Sequence, residues 1–170
     1  MKNKNNLPIF GVGPFYVITC LIITLFSLLL IKNGHFKFAT IKKEMMLHSI
    51  FNLLAYVFII FGIYLWVRAV IIQKVNKKVQ QGILLKDGIY SIVRNPIYSA
   101  FSFIFTGVLF LSMNYILLVL PFFFWIFLTV LMKNTEEKWL REKFGKEYID
   151  YCKDVNRVIP WFTKNKYKIY

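Results

Sequence analysis

The sequence predicts an all-α, polytopic integral membrane protein of about four transmembrane helices followed by an amphipathic cytosolic helix, and three observations predict it. Hydrophobic residues make up 58% and aromatic residues 19% of a chain of only 170 residues, more apolar surface than a soluble domain of that length can bury. The apolar residues fall in long blocks nearly free of charge. The basic residues, which give a formal net charge of +14, fall in the gaps between those blocks. That placement fits orientation signals and contact with anionic membrane lipids rather than a nucleic-acid surface, so no nucleic-acid partner is expected.

The first span covers 14–31, where no charged residue interrupts an apolar run long enough for a hydrocarbon core of about 30 Å. Lys2 and Lys4 ahead of it resemble the start of a signal peptide. The run is long for one, however, and ends in Lys-Asn-Gly-His rather than a small-residue cleavage pattern, so it reads as a retained helix. Gly11-Val12-Gly13-Pro14 contains a G-x-G, but it follows no strand and runs into proline, so no nucleotide phosphate loop is expected there. Residues 32–48 are polar and carry both histidines, His35 and His48, which read as solvated interface residues. Cys20 and Cys152 have no cysteine or histidine neighbour at ligand spacing, so neither a metal site nor a disulfide framework is indicated.

The second span covers 49–72 with one charge, Arg68, placed close enough to the end to snorkel to the headgroups. A basic loop follows at 73–96, with Asp87-Gly88 as a turn signal. From Ile97 to Met132 there are 36 residues without a charged side chain, about 54 Å as one helix and too long for a single span. A break at Ser112-Met113-Asn114 divides them into spans at 97–112 and 115–132, a tight helical hairpin. The tail 133–170 contains an amphipathic pattern in which Leu140, Phe144 and Tyr148 recur every four residues. Lysine and arginine number two before the first span, five in 73–96 and ten from 133 onward, against four in 32–48. That asymmetry places both termini in the cytosol.

Two features meet on that cytosolic side. Asn95-Pro96 has the composition of a helix start, asparagine as N-cap and proline at the first helical position, and the exposed N–H groups there suit an anionic ligand group. Glu136-Glu137 follows the last span within about one turn, and two carboxylates beside a membrane are costly unless solvated, paired or bound to a cation. A hairpin over 97–132 returns both features to one pocket. Adjacent helical residues point about 100° apart, so only one of the acidic pair can face a ligand squarely. The spacing alone leaves open which of the two does so.

The run GIYSIVRNPIY, the apolar hairpin and EEKWLREKFGKEYIDYCKDVNRVIP together resemble the isoprenylcysteine carboxyl methyltransferase family, and more distantly the membrane phospholipid methyltransferases. The shared pattern is roughly G-x-Y-x-x-x-R-H-P-x-Y, a hairpin, E-E-x-x-L, F-G-x-E-Y-x-x-Y and a late I-P, and it covers positions 82–160. The resemblance implies a single membrane methyltransferase-like domain over 1–170 that uses S-adenosylmethionine, without a metal, on a lipophilic small-molecule or lipid-modified acceptor. It implies contacts to that cofactor from Ile83, Leu84 and Leu85, from Tyr90, from Asn95, Pro96, Ile97 and Tyr98, and from Glu137, which is expected to hold its cationic part while Glu136, chemically matched as well, faces solvent. Arg94 and Glu137 are the expected catalytic residues, and Lys133, where relatives often place arginine, the expected substrate contact. Asn95 stands where better-known members have histidine, Gly82 replaces a frequent histidine, and Lys133 lacks the bidentate fork of arginine. These departures leave three further readings open. They are N-methylation of a phospholipid or other amine, an NADPH-dependent enzyme like the sterol reductases, and a non-catalytic scaffold.

Overall fold

The computed structural model describes residues 11–44, 46–73 and 83–161, and among them every regular element is a helix. Helix α1 is Gly13–Lys32, α2 is Met46–Val67, α3 is Pro96–Leu111, α4 is Leu120–Asn134 and α5 is Glu136–Asp154. Helix α2 continues into a widened π turn at Arg68–Ile72, and a 3₁₀ segment Tyr115–Val119 leads into α4. Three stretches, Gly13–Lys32, Met46–Ile72 and Tyr115–Asn134, are long and apolar enough to cross a membrane, and Pro96–Leu111 is a shorter apolar helix.

Helix α1 is built inside out relative to a helix of a soluble bundle. On α1 the buried positions are Gly13, Tyr16, Cys20, Thr24 and Ser27, spaced three or four apart, while Phe15, Ile22 and Phe26 are each 60% exposed. Small and polar residues allow close helix contact, and large apolar ones face lipid, as a hydrocarbon solvent requires. The most extensive pairing is α2 against α3, and two glycines permit it. A Cβ on Gly62 would lie 2.7 Å from the Ala100 carbonyl oxygen, and one on Gly107 would lie 2.7 Å from the Ala55 carbonyl oxygen. Phe58 stacks on Phe103 and Phe51 meets Phe110 edge-on, at 5.9 and 5.0 Å between centroids. Because backbone cannot yield as a side chain does, Gly62→Val is expected to destabilise by about 1–3 kcal/mol. The thermal midpoint of the detergent-purified protein should fall accordingly, and an unchanged midpoint would mean that the pair does not close at Gly62.

The hairpin turns at Met113, whose φ of 51° is left-handed, and Asn114 caps the 3₁₀ segment by accepting from the Ile116 N–H at 3.1 Å. Residues 36–41 seal that end of the bundle: Ile41 N–H donates to the Met113 carbonyl at 2.7 Å and Asn114 Nδ2 to the Phe36 carbonyl at 3.0 Å. At the opposite end α5 folds back over the bundle. It bends at Gly145, where φ is 53° and ψ −127°. Behind it, residues 155–161 run beside 92–95, with Arg94 N–H donating to the Asn156 carbonyl at 2.8 Å and Trp161 N–H to the Ile92 carbonyl at 3.1 Å. This strap fixes the loop from which α3 starts.

Candidate functional site

A cavity of about 520 Å³ opens at that end, within the size range of small-molecule and cofactor sites. It is walled by the start of α1 (Gly13, Pro14, Val17), the end of α2 (Trp66) and the π turn after it (Val70), the segment 83–85, Tyr90, the start of α3 and one face of α5. The α5 face is the period-four stripe of Leu140, Phe144 and Tyr148, joined by Trp139 and Tyr151.

Each wall is pinned locally. Gly88, with φ of 61°, makes the turn that starts a short 3₁₀ segment, Gly88–Ser91. The Gln73 side chain clamps that turn, donating to the Asp87 carbonyl at 2.7 Å and accepting from Ile89 N–H at 3.2 Å. Tyr151 OH donates to the Tyr90 carbonyl at 2.5 Å, so Tyr90 is held by the helix across the cavity. Pro96 opens α3 in the first-turn position where its missing N–H costs nothing. Asn95 precedes it, but its side chain does not cap the helix. Its Nδ2 donates to the Arg157 carbonyl at 3.0 Å, which ties the side chain to the 155–161 strap. The N-cap hydrogen bond expected from the sequence does not form, and the side chain serves a tertiary contact.

The acidic pair is oriented opposite to the sequence expectation. Glu136 lines the cavity, and its Oε1 accepts from Tyr98 OH at 2.6 Å and from Val12 N–H at 2.8 Å. Burial pushes its carboxyl above the usual range, opposed by the hydrogen bonds from Tyr98 and Val12. Glu137 is 1% exposed and does not line the cavity. Arg157 grips it with a fork, Nε to Oε1 at 2.5 Å and Nη2 to Oε2 at 3.1 Å. Arg94 Nη1 lies 3.3 Å from Oε1, and Arg141 Nη2, on a 57% exposed side chain, 3.8 Å from Oε2. Burial alone would raise the Glu137 carboxyl, but the Arg157 hydrogen bond and the charges of Arg94, Arg157 and Arg141 outweigh it and hold it below the usual range. The helical step between neighbours sends one carboxylate to the cavity and the other into an arginine cage.

Of the sequence-derived site residues, Ile83, Leu84, Leu85, Tyr90, Arg94, Asn95, Pro96, Ile97, Tyr98 and Glu136 line this one cavity. Glu137 stands behind it, in contact with Arg94. Lys133 is exposed on the last turn of α4 and is not part of the lining. Gly82 lies outside the described residues. Sequence reasoning missed Arg157 and the Gly11-Val12-Gly13 segment. For Arg157 a signal existed, since arginine amid a lysine-rich tail suits a bidentate carboxylate partner.

Residues 45–147 match the model of the phospholipid methyltransferase family. The chain is 37% identical over 87 residues to protein-S-isoprenylcysteine O-methyltransferase of Saccharomyces cerevisiae, an overlap of 51% of this chain and 36% of that protein. It thus spans little more than a third of that relative's length. No solved structure matches.

Proposed function

We propose, from the premise that this chain belongs to the phospholipid methyltransferase family, that it transfers a methyl group from S-adenosylmethionine to a lipophilic acceptor at the membrane surface. The observation that carries this reading is the cavity, which sets a carboxylate against an arginine and a helix start across aromatic walls. A bound S-adenosylmethionine would supply a sulfonium-activated methyl carbon, leaving the protein to position two reactants and exclude water. The donor set fits that cofactor. Glu136 suits its cationic part, the start of α3 at Pro96–Tyr98 its carboxylate, and Ile83–Leu85 with Tyr90 an adenine ring.

The charge balance supports an anionic acceptor. Arg94 and Arg157 are largely buried around the single carboxylate of Glu137, their side chains 8% and 19% exposed. Arg94 lines the cavity; its Nη1 also donates to Cys152 Sγ, and its buried Nε has no acceptor among the described residues. The arginines gathered around Glu137 favour a carboxylate acceptor of the isoprenylcysteine kind over an ammonium headgroup. By the distribution of lysine and arginine, the site faces the cytosol.

Titration of the detergent-purified protein with S-adenosylmethionine, S-adenosylhomocysteine and NADPH tests the reading. The two methionine-derived ligands are expected to bind saturably and NADPH not at all. Binding of NADPH alone would favour a reductase, and binding of none a scaffold. With labelled cofactor, an isoprenylcysteine acceptor should yield a base-labile methyl ester. Label found instead as base-stable methyl on an amino headgroup would transfer the assignment to N-methylation.

A further inference from the structure

We infer that Gly11-Val12-Gly13, at the start of α1, is a positioning element that fixes the Glu136 carboxylate toward the cavity. This rests on the proposed function in one respect, that Glu136 meets the cationic part of the cofactor. The segment lies outside the residues matched by the family model, and the tie it makes is long-range. Val12 N–H reaches Glu136 Oε1 at 2.8 Å across 124 positions of sequence, and Tyr98 OH reaches the same oxygen at 2.6 Å. Both donors land on Oε1, which anchors that oxygen and leaves Oε2 as the one that can turn to a ligand.

The two glycines are what allow this approach. Gly11 has φ of 50°, and a Cβ there would lie 1.9 Å from Glu136 Oε1, well inside any allowed contact. A Cβ on Gly13 would lie 2.6 Å from Tyr98 Cε1, displacing the second donor. Gly11 and Gly13 also line the cavity themselves. A segment that merely packed α1 onto the bundle would not need both of its glycines pressed on the two partners of one hydrogen-bonded oxygen. Nor would it need the intervening amide aimed at that oxygen. The G-x-G is thus used to bring backbone close to a carboxylate, rather than to a phosphate.

Binding of S-adenosylhomocysteine, followed by calorimetry across pH, tests the inference. Val12→Pro removes the N–H and Val12→Ala keeps it, so their difference isolates the hydrogen bond. Val12→Pro is expected to bind about tenfold more weakly than Val12→Ala. Its acid-side loss of affinity should also move to higher pH, because the carboxylate has one donor fewer. A purely structural role would leave that pH midpoint in place. If Val12→Pro does not fold, Gly11→Ala carries the test. It keeps the amide but drives a methyl into Glu136, and should weaken binding with the same displacement of the pH midpoint. Equal affinity and equal midpoints for Val12→Pro and Val12→Ala, or wild-type behaviour of Gly11→Ala, would overturn the inference. Failure of the wild-type protein to bind S-adenosylhomocysteine would instead overturn the proposed function on which it stands.

Discussion

Glu137→Ala is expected to destabilise the protein by about 3–5 kcal/mol, the cost of stripping the partner from buried charge. Arg94 and Arg157, with side chains 8% and 19% exposed, would be left facing each other without the carboxylate that both now contact. The damage would spread along the chain, because Arg157 sits in the strap that pairs with 92–95 and receives the Asn95 side chain. Thermal unfolding in detergent should show the loss directly. Adding Arg157→Met should recover part of it, since the penalty comes from unpaired charge rather than from lost packing. A double variant no more stable than the single one would argue against the cage. Acid should act on the same contact. The folded carboxyl is held below the usual range, so its contribution is complete above the unfolded value of about 4.3 and is lost as pH falls through the lower folded one. Glu137→Gln should be less sensitive to pH in that window.

The helical architecture was legible because membrane solvent leaves a coarse signal. A charge-free run twice the length of a span, broken by Ser112-Met113-Asn114, has few solutions other than a hairpin. The meeting of 94–98 with Glu136 followed from that hairpin returning its ends to one side, whereas 83–85 and Tyr90 were expected there through the family resemblance. What the pattern did not carry was the phase of α5. Two adjacent glutamates must diverge, but which one turns inward is decided by arginines from three separate segments. That information was present in another form. The chain has four arginines against eighteen lysines, and three of the four, Arg94, Arg141 and Arg157, converge on Glu137. Where lysine is the default basic residue, arginine marks positions that need a rigid fork. The Val12–Glu136 contact offered no local signal, because its partners are 124 residues apart and neither glycine reads differently from one in a turn.

Glu136→Gln is expected to weaken binding of S-adenosylmethionine and S-adenosylhomocysteine by roughly 10- to 150-fold, the range of a charge-assisted hydrogen bond worth about 1.5–3 kcal/mol. Glutamine keeps the shape, the helix propensity and an acceptor for Tyr98 and Val12, so the thermal midpoint should hardly move. This separates the pair cleanly: loss of Glu136 should appear in binding, and loss of Glu137 in stability. The pH dependence supplies a second signature. Burial holds the Glu136 carboxyl above the usual range, and only its ionised form attracts a cation. Wild-type affinity should therefore fall on acidification at a higher pH than for an exposed glutamate. Ligand binding pulls in the reverse direction, favouring the ionised form and releasing a proton, so heats measured in buffers of different ionisation enthalpy should differ near that midpoint. In Glu136→Gln both effects should vanish together. An acid limb that persists in the variant would place the titrating group elsewhere and remove Glu136 from contact with the cofactor's positive charge.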